Sequence, residues 1–173
     1  LRGGRDADER QQTLRATIAW SYDLLAEEEQ RVFRSLAGFA GSCTLDAAEE
    51  VVEADLETLQ SLVEKSLLRF TNDRYWMLET IREFALEELE RLGTRRPLTR
   101  RHADYFLMLE QDAEPFFEGS DETEWLDRLD RDYDNLRAAL SFFHGSPEQL
   151  RMACALWRFW LRRGLHREGA RWL

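Results

Sequence analysis

Apolar residues recur along most of this chain at helical spacing. Leu14, Ile18, Tyr22 and Leu25 fall at i, i+4, i+8 and i+11 and predict one apolar helix face. Val32, Phe33, Leu36 and Ala37 predict a second, shorter helix behind Glu27-Glu28-Glu29, whose acids suit a helix N-terminus. Gly38 and Gly41 then break the chain. Thr44 is placed to cap a third helix carrying Ala47, Ala48 and Val51. Asp55 is placed to cap a fourth, with Leu56, Leu59, Leu62, Val63 and Ser66 on its buried side. The period then changes. Leu67-Leu68-Arg69-Phe70 and Arg74-Tyr75-Trp76-Met77-Leu78 are β-prone runs around Thr71-Asn72-Asp73, and together they predict a hairpin. Alternation sets Leu68 and Phe70 against Arg69, and Tyr75 and Met77 against Arg74 and Trp76. Helical spacing resumes with Ile81, Phe84, Ala85, Leu89 and Leu92 and ends at Gly93. Three or four helices followed by one hairpin is the element order of a winged helix.

Beyond Gly93 comes the basic link Thr94-Arg95-Arg96-Pro97, with Pro97 placed to open the next helix. Its face is Leu98, His102, Tyr105, Phe106, Leu109, Ala113 and Phe116, and Gly119-Ser120 breaks it. Trp125, Leu129, Tyr133, Leu136, Leu140 and Phe143 predict one further helix that stops at Gly145. Ser146-Pro147-Glu148-Gln149 is a strong helix start, with a Ser cap, Pro at the first position and Gln at the third. That helix carries Leu150, Cys154, Trp157, Trp160 and Leu161 and ends at Gly164. The segment from His166 to Leu173 reads as the start of its partner, which suggests a piece excised from a longer protein. Helical hairpins with short Gly breaks point to an α-solenoid. The tetratricopeptide (TPR) pattern fits loosely: with Gly164 between the helices, Trp160 takes the aromatic place and Gly169 the small-residue place.

Composition narrows the function classes. The chain has 173 residues, 43% hydrophobic and 34% charged, which is long enough to bury a core without disulfides or metal. No run approaches the roughly 18 apolar residues of a membrane span, and the start of the chain lacks the apolar stretch of a signal peptide. Cys43 and Cys154 lack metal-ligand spacing and read as two buried small hydrophobes in a reducing cytoplasm. The net charge of −10 argues against a main surface for nucleic acid or anionic lipid. Charge is uneven, however. Asp104 to Asp134 holds twelve acids against two arginines; Arg151 to Arg171 holds six arginines against Glu168; Arg91 to Arg101 holds five arginines and no acid.

The chemistry of an enzyme is missing. There is no GxxxxGK[ST], no HExxH, no paired His/Cys ligands and no GxSxG. His102 lies on an apolar helix face as a hydrogen-bonded core residue, and His144 abuts a glycine break. Glu27-Glu28-Glu29 and the acids from Asp127 to Asp134 read as solvated helix faces, not as an acid–base pair. A catalytic site is therefore not expected, and no metal or cofactor is assigned to this piece.

Several segments are specific enough to suggest a family. Thr13-Leu14-Arg15-Ala16-Thr17-Ile18-Ala19-Trp20-Ser21-Tyr22-Asp23-Leu24-Leu25 resembles the segment after the nucleotide-binding domain of bacterial STAND (NB-ARC-type) ATPases. These large signalling proteins are often classed as LuxR-type or antibiotic-regulator-type transcriptional regulators. Phe33 to Gly41, Leu62-Val63-Glu64-Lys65-Ser66-Leu67-Leu68 and Met77 to Ala85 continue the resemblance. So do Arg101 to Phe106, Asp134-Asn135-Leu136-Arg137-Ala138-Ala139-Leu140 and Leu156-Trp157-Arg158-Phe159-Trp160. It implies a mainly α fold: a winged helix over residues 1–93, then antiparallel helical hairpins of a TPR-like α-solenoid over 94–173, truncated at the C-terminus. It also implies ATP or ADP bound upstream in the parent, a cytoplasmic location, the upstream ATPase domain as partner, and further protein partners through the repeats. Related ATPases carry Met-His-Asp at the end of the wing, where the histidine touches the β-phosphate of ADP. Met77-Leu78-Glu79 stands at that place here; Leu78 has no donor, and Met77 and Leu78 are expected to finish the strand and enter the core. Ala26-Glu27 replaces the Ser-Pro that relatives tend to carry at the second helix start, a lost cap worth about 1 kcal/mol.

Two readings follow. One is a non-catalytic regulatory module that couples the upstream nucleotide-binding domain to a repeat sensor. The alternative is a DNA-binding winged helix that places Asp55 to Ser66 in the major groove. The outward positions of that helix, Glu57, Gln60, Ser61, Glu64 and Lys65, carry more acid than base, and the wing offers only Arg69 and Arg74. DNA binding by this piece is therefore not expected. Trp76, set opposite Tyr75 and Met77, is the expected wing anchor for a protein partner, with Arg69 and Arg74 beside it. The arginines of the Leu150 to Leu161 helix are expected to pair with the acidic helix before it, its tryptophans facing its repeat neighbour.

Overall fold

The computed structural model describes residues 3–113 and 122–173. The described residues are mainly helical with one small antiparallel sheet. They form two compact units, one of Leu1–Gly38 with Cys43–Arg95, the other of Phe39–Ser42 with Arg96–Leu173.

The first unit runs α1 (Gly3–Asp23), α2 (Glu27–Leu36), α3 (Leu45–Val52), α4 (Leu56–Glu64), β1 (Arg69–Thr71), β2 (Arg74–Trp76) and α5 (Glu79–Arg91). Thr44 and Asp55 cap α3 and α4 as expected: the Ala47 N–H donates to Thr44 Oγ1 at 3.2 Å and the Thr58 N–H to Asp55 Oδ1 at 2.7 Å. The hairpin forms with Arg69 opposite Trp76, Phe70 opposite Tyr75 and Thr71 opposite Arg74. Asn72 and Asp73 both take positive φ, 51° and 58°, which suits the right-handed twist of a two-residue turn. Cys43 pairs on the free edge of β2, its N–H and C=O exchanging bonds of 2.9 and 2.8 Å with Tyr75. A one-residue strand after α2, two helices, then a hairpin that pairs back onto that strand is the winged-helix arrangement.

The core of this unit is built on Tyr22, Phe33 and Phe84, whose rings lie 5.6, 5.5 and 6.5 Å apart, with Val32, Leu59, Leu62 and Leu68 fully buried around them. Burial of each large side chain contributes about 1.5–3 kcal/mol. The exposed pair Arg15–Glu87 contributes at most about 1 kcal/mol, so packing and not surface charge holds the unit. Several expected core positions are outside it. Leu14, Leu56 and Leu92 are exposed. Ser66 is exposed at a φ of 60°, two residues past the end of α4, where the chain turns to bury Leu67 and Leu68. Phe70 is also exposed, because its partner Tyr75 fills the buried side of that cross-strand pair.

The second unit runs α6 (Arg95–Ala113), α7 (Glu122–Arg131), α8 (Tyr133–Phe142), α9 (Pro147–Arg162) and α10 (His166–Trp172). Helix α6 begins two residues before Pro97; proline is accommodated there because the first-turn N–H groups have no intrahelical acceptor. Leu98, His102, Phe106 and Leu109 are buried as expected; Phe116, Gly119 and Ser120 lie outside the described residues, as does the side chain of Ala113. The single helix expected from Trp125 to Phe143 is two. Buried Asp132, at φ −97° and ψ 5°, interrupts it, although the Asp132 N–H still reaches Arg128 O and the Leu136 N–H still reaches Asp132 O. Periodicity survives such a kink, so the sequence pattern does not reveal it.

Helices α9 and α10 form an antiparallel hairpin through Gly164, whose φ is 70°. Ser146 caps α9, and the Gln149 amide accepts the Gly145 N–H at 2.6 Å while donating to Trp172 O at 3.1 Å, which joins the start of α9 to the end of α10. Gly169 packs on Trp160 so closely that a Cβ would stand 2.8 Å from the ring. The buried face of α9 is Met152, Ala153, Leu156, Phe159 and Trp160. The expected face of Leu150, Cys154, Trp157 and Leu161 is exposed, so of the two tryptophans only Trp160 turns inward, and Cys154 is not the buried thiol expected.

Candidate functional site

The surface that a winged helix offers for recognition is the exposed face of α4 together with the wing. Here that surface is a trough. Leu56, Gln60 and Val63, at i, i+4 and i+7, line one wall with Glu64; Phe70 and Tyr75 line the other, around a cavity of about 340 Å³. Leu56 and Phe70 are 45% and 48% exposed, so the rim is apolar. The Phe70 and Tyr75 rings lie 4.7 Å apart across the hairpin and set the width of that wall.

Charge around the trough is negative. From Leu45 to Ser66 there are seven acids and one base, Lys65. Lys65 is paired with Glu29, which also accepts from Ser61 Oγ at 2.5 Å and from the Ala26 N–H at 2.8 Å. The Lys65 ammonium first, then the Ser61 hydroxyl and the Ala26 N–H, hold the Glu29 carboxyl down at about 2. Glu29 is therefore not a solvated acid, and Ser61 turns toward α2 instead of outward. Ala26 lacks an accepting side chain, but Glu29 supplies the reciprocal half of a capping box from the third helical position. That spacing was the signal in the sequence for this role.

The wing residues separate. Arg69 is exposed. Arg74 is buried, and so presents little surface to a partner. Trp76 is half-buried and donates its indole N–H to Thr71 Oγ1 at 2.9 Å, diagonally across the hairpin. Met77 enters the core, but Leu78 does not: β2 ends at Trp76, and Leu78 is an exposed cap of α5. Glu79 is exposed and lies 3.6 Å from Arg82. Leu78 brings no donor, so its side chain offers a phosphate nothing, and Glu79 brings negative charge with Arg82 beside it; no nucleotide contact is assigned to Met77-Leu78-Glu79.

Among the described residues of the second unit, His102 and Asn135 form a buried polar centre. Asn135 Oδ1 accepts from the Ala40 N–H at 2.8 Å and lies 3.1 Å from His102 Nε2, while Nδ2 donates to Ser42 O at 2.9 Å. With Oδ1 accepting, the His102 ring carries its proton on Nε2. Burial pushes the His102 pKa down, the Asn135 bond offsetting part of that shift. Phe39 and Phe106 pack around the imidazole. Set among an amide and two aromatic rings, His102 is a structural residue, not a base poised for catalysis.

Arginines of both basic segments are held in ion pairs. Arg91 pairs with Glu88, Arg95 with Glu90 and Arg100 with Asp104. Arg162 lies 2.8 Å from Glu122, and Arg163 lies 2.6 Å from both Asp127 and Asp130, the pairing expected between α9 and the preceding acidic helix. Among the described residues no group of three or more His, Cys, Asp or Glu could hold a metal ion, and no helix is long and apolar enough to cross a membrane.

No family model matches the sequence. The chain is 37% identical over 187 residues to proteins of Mycobacterium bovis and Mycobacterium tuberculosis, each provisionally named an HTH-type transcriptional regulator. The alignment takes in 99% of this chain and 21% of theirs, so the chain spans about a fifth of the length of the curated relatives it matches. Among solved structures, a signal transduction ATPase with numerous domains and a tetratricopeptide repeat sensor, from Pyrococcus horikoshii, aligns with 87% of this chain and 26% of its own, at 17% identity and a TM-score of 0.45.

Proposed function

We propose that this chain is a non-catalytic regulatory module of a larger signalling ATPase that acts in transcriptional control. On this reading the winged helix takes its state from an upstream nucleotide-binding domain and hands it to the helical hairpins that follow. The observation that carries the reading is the recognition face of the winged helix. The exposed positions of its α4 are apolar, acidic or the neutral Gln60, and the one lysine there is tied to Glu29. The names of the mycobacterial relatives support transcriptional control by a longer parent. ATP or ADP belongs, on this proposal, to that upstream domain, with the cytoplasm as the setting.

The test is to mix the chain with the upstream ATPase domain and measure affinity in ADP and in ATP. A nucleotide-dependent difference is expected; absence of binding in both states reduces the chain to a passive scaffold. A second reading, a DNA-reading winged helix, has the helix-turn-helix name of the relatives in its favour. It requires a mobility shift that weakens as salt rises, since phosphate contacts release counterions. The acidic recognition helix predicts no such shift.

A further inference from the structure

We propose that the trough between α4 and the wing is a docking site for a basic amphipathic protein helix. This inference deepens the reading above, since it names the surface and the chemistry of the partner. The trough has the form that a helix-in-groove contact needs: apolar walls from Leu56, Val63, Phe70 and Tyr75, and room for the side chains of one helical face. Leu56 and Phe70 stand half exposed on opposite rims, where a partner's aliphatic or aromatic anchors would cover them. Gln60 and Glu64 are the polar lining residues, so hydrogen bonding alone would not hold an occupant.

Charge selects the class of occupant. Glu64 lies in the wall, Glu57 follows Leu56 directly, and Asp55 and Glu53 are exposed just before it. Lys65 is the one base of the α3–α4 segment and is engaged by Glu29. A DNA backbone would meet Glu64 in the wall and the exposed acids at the start of α4; an arginine or lysine flanking an apolar stripe would meet them favourably. An acidic or neutral helix would gain only the apolar contacts.

The experiment uses the whole 173-residue chain and three labelled probes in fluorescence anisotropy. The first is a helical peptide of about four turns with Leu and Trp on one stripe and arginines beside it. The second is the same peptide with its arginines changed to glutamate, and the third is a short DNA duplex. The basic peptide is expected to bind, and its charge-reversed form to bind at least about tenfold more weakly. Leu56→Ala with Phe70→Ser is expected to weaken the basic peptide about tenfold; Trp20→Ala, exposed elsewhere on the same unit, is expected to leave it unchanged. Both changes replace exposed side chains, and circular dichroism checks that each variant is folded. Glu64→Gln gives a second measure, a smaller loss that shrinks further at high salt.

Equal binding of the basic peptide by wild type and the double variant overturns the proposal, as does no binding at all. A doubled solution mass that the double variant abolishes makes a second copy the occupant and also overturns it. Duplex binding that outcompetes the peptide overturns both this inference and the protein-contact reading. If the ATPase domain binds wild type and the double variant equally, only the trough assignment falls.

Discussion

Two side chains, one in each unit, gather three neighbours apiece, and they do so by different physics. Glu29 takes a lysine, a serine and a backbone N–H with a charge, at the edge of the first unit. Asn135 joins a histidine, a backbone N–H and a backbone C=O without one, inside the second. The charged centre is strong only while its carboxylate stays ionised, and water at its edge can partly replace what it offers. The neutral centre has no such dependence of its own, but nothing replaces it once lost, because an unpaired buried polar group keeps its full desolvation cost.

The largest expected effect is therefore Asn135→Leu. It strands Ala40 N–H, Ser42 O and His102 at once, and should cost about 3 kcal/mol in denaturant unfolding. Hydrogen exchange should locate the loss in residues 39–42 and 96–173. Glu29→Gln keeps one accepting oxygen and should cost about 1 kcal/mol at neutral pH. That cost should shrink as pH falls to about 2, where half of the wild-type carboxyls are themselves protonated, and disappear below it.

Acid should separate the two centres along the pH axis. His102 has its folded pKa below the ordinary 6.5. The unfolded chain therefore takes up the proton first, and the second unit loses stability as pH falls below about 6.5 and on through the folded value. Glu29 sits at about 2 against an ordinary 4.5, so the stability it gives the first unit is complete above 4.5 and is lost on the way down to 2. Exchange protection followed unit by unit should show the second unit weakening first. His102→Gln should remove the upper of the two windows; a first unit that weakens before the second, starting near pH 6, would contradict the assignment. The smallest effect is Asp73→Gly. Asp73 holds a left-handed φ that glycine adopts freely, and asparagine followed by glycine is the favoured pair for such a turn, so the change should stabilise the hairpin by about 0.5 kcal/mol at every pH.

What the sequence disclosed was mostly local. The Thr44, Asp55 and Ser146 caps, the Asn72-Asp73 turn and the Gly164 break each depend on a few adjacent residues, and each lies where its chemistry placed it. What stayed hidden needed a three-dimensional partner. Helix α9 is apolar enough for two stripes, and only its neighbours select the one through Leu156 and Phe159 over the one through Leu150 and Trp157. Alternation grouped Phe70 with Leu68, but the wing extends past the core, so the outer aromatic becomes a rim of the trough. Asp132 breaks a helix without disturbing its period. Glu29 looked like one of three equivalent acids until Lys65 and Ser61, more than thirty positions away, came within reach.

Four residues of the first half of the chain, Phe39 to Ser42, complete the second unit. The chain therefore enters the second unit before it has finished the first. A ribosome that has released only the first 95 residues holds a winged helix with a displayed loop, and that loop waits for α6 and α8 before its phenylalanine and its amide find cover. A polypeptide beginning at Arg96 has the reverse defect: its Asn135 faces no backbone to bind, and it should need the tetrapeptide supplied in trans to reach full order.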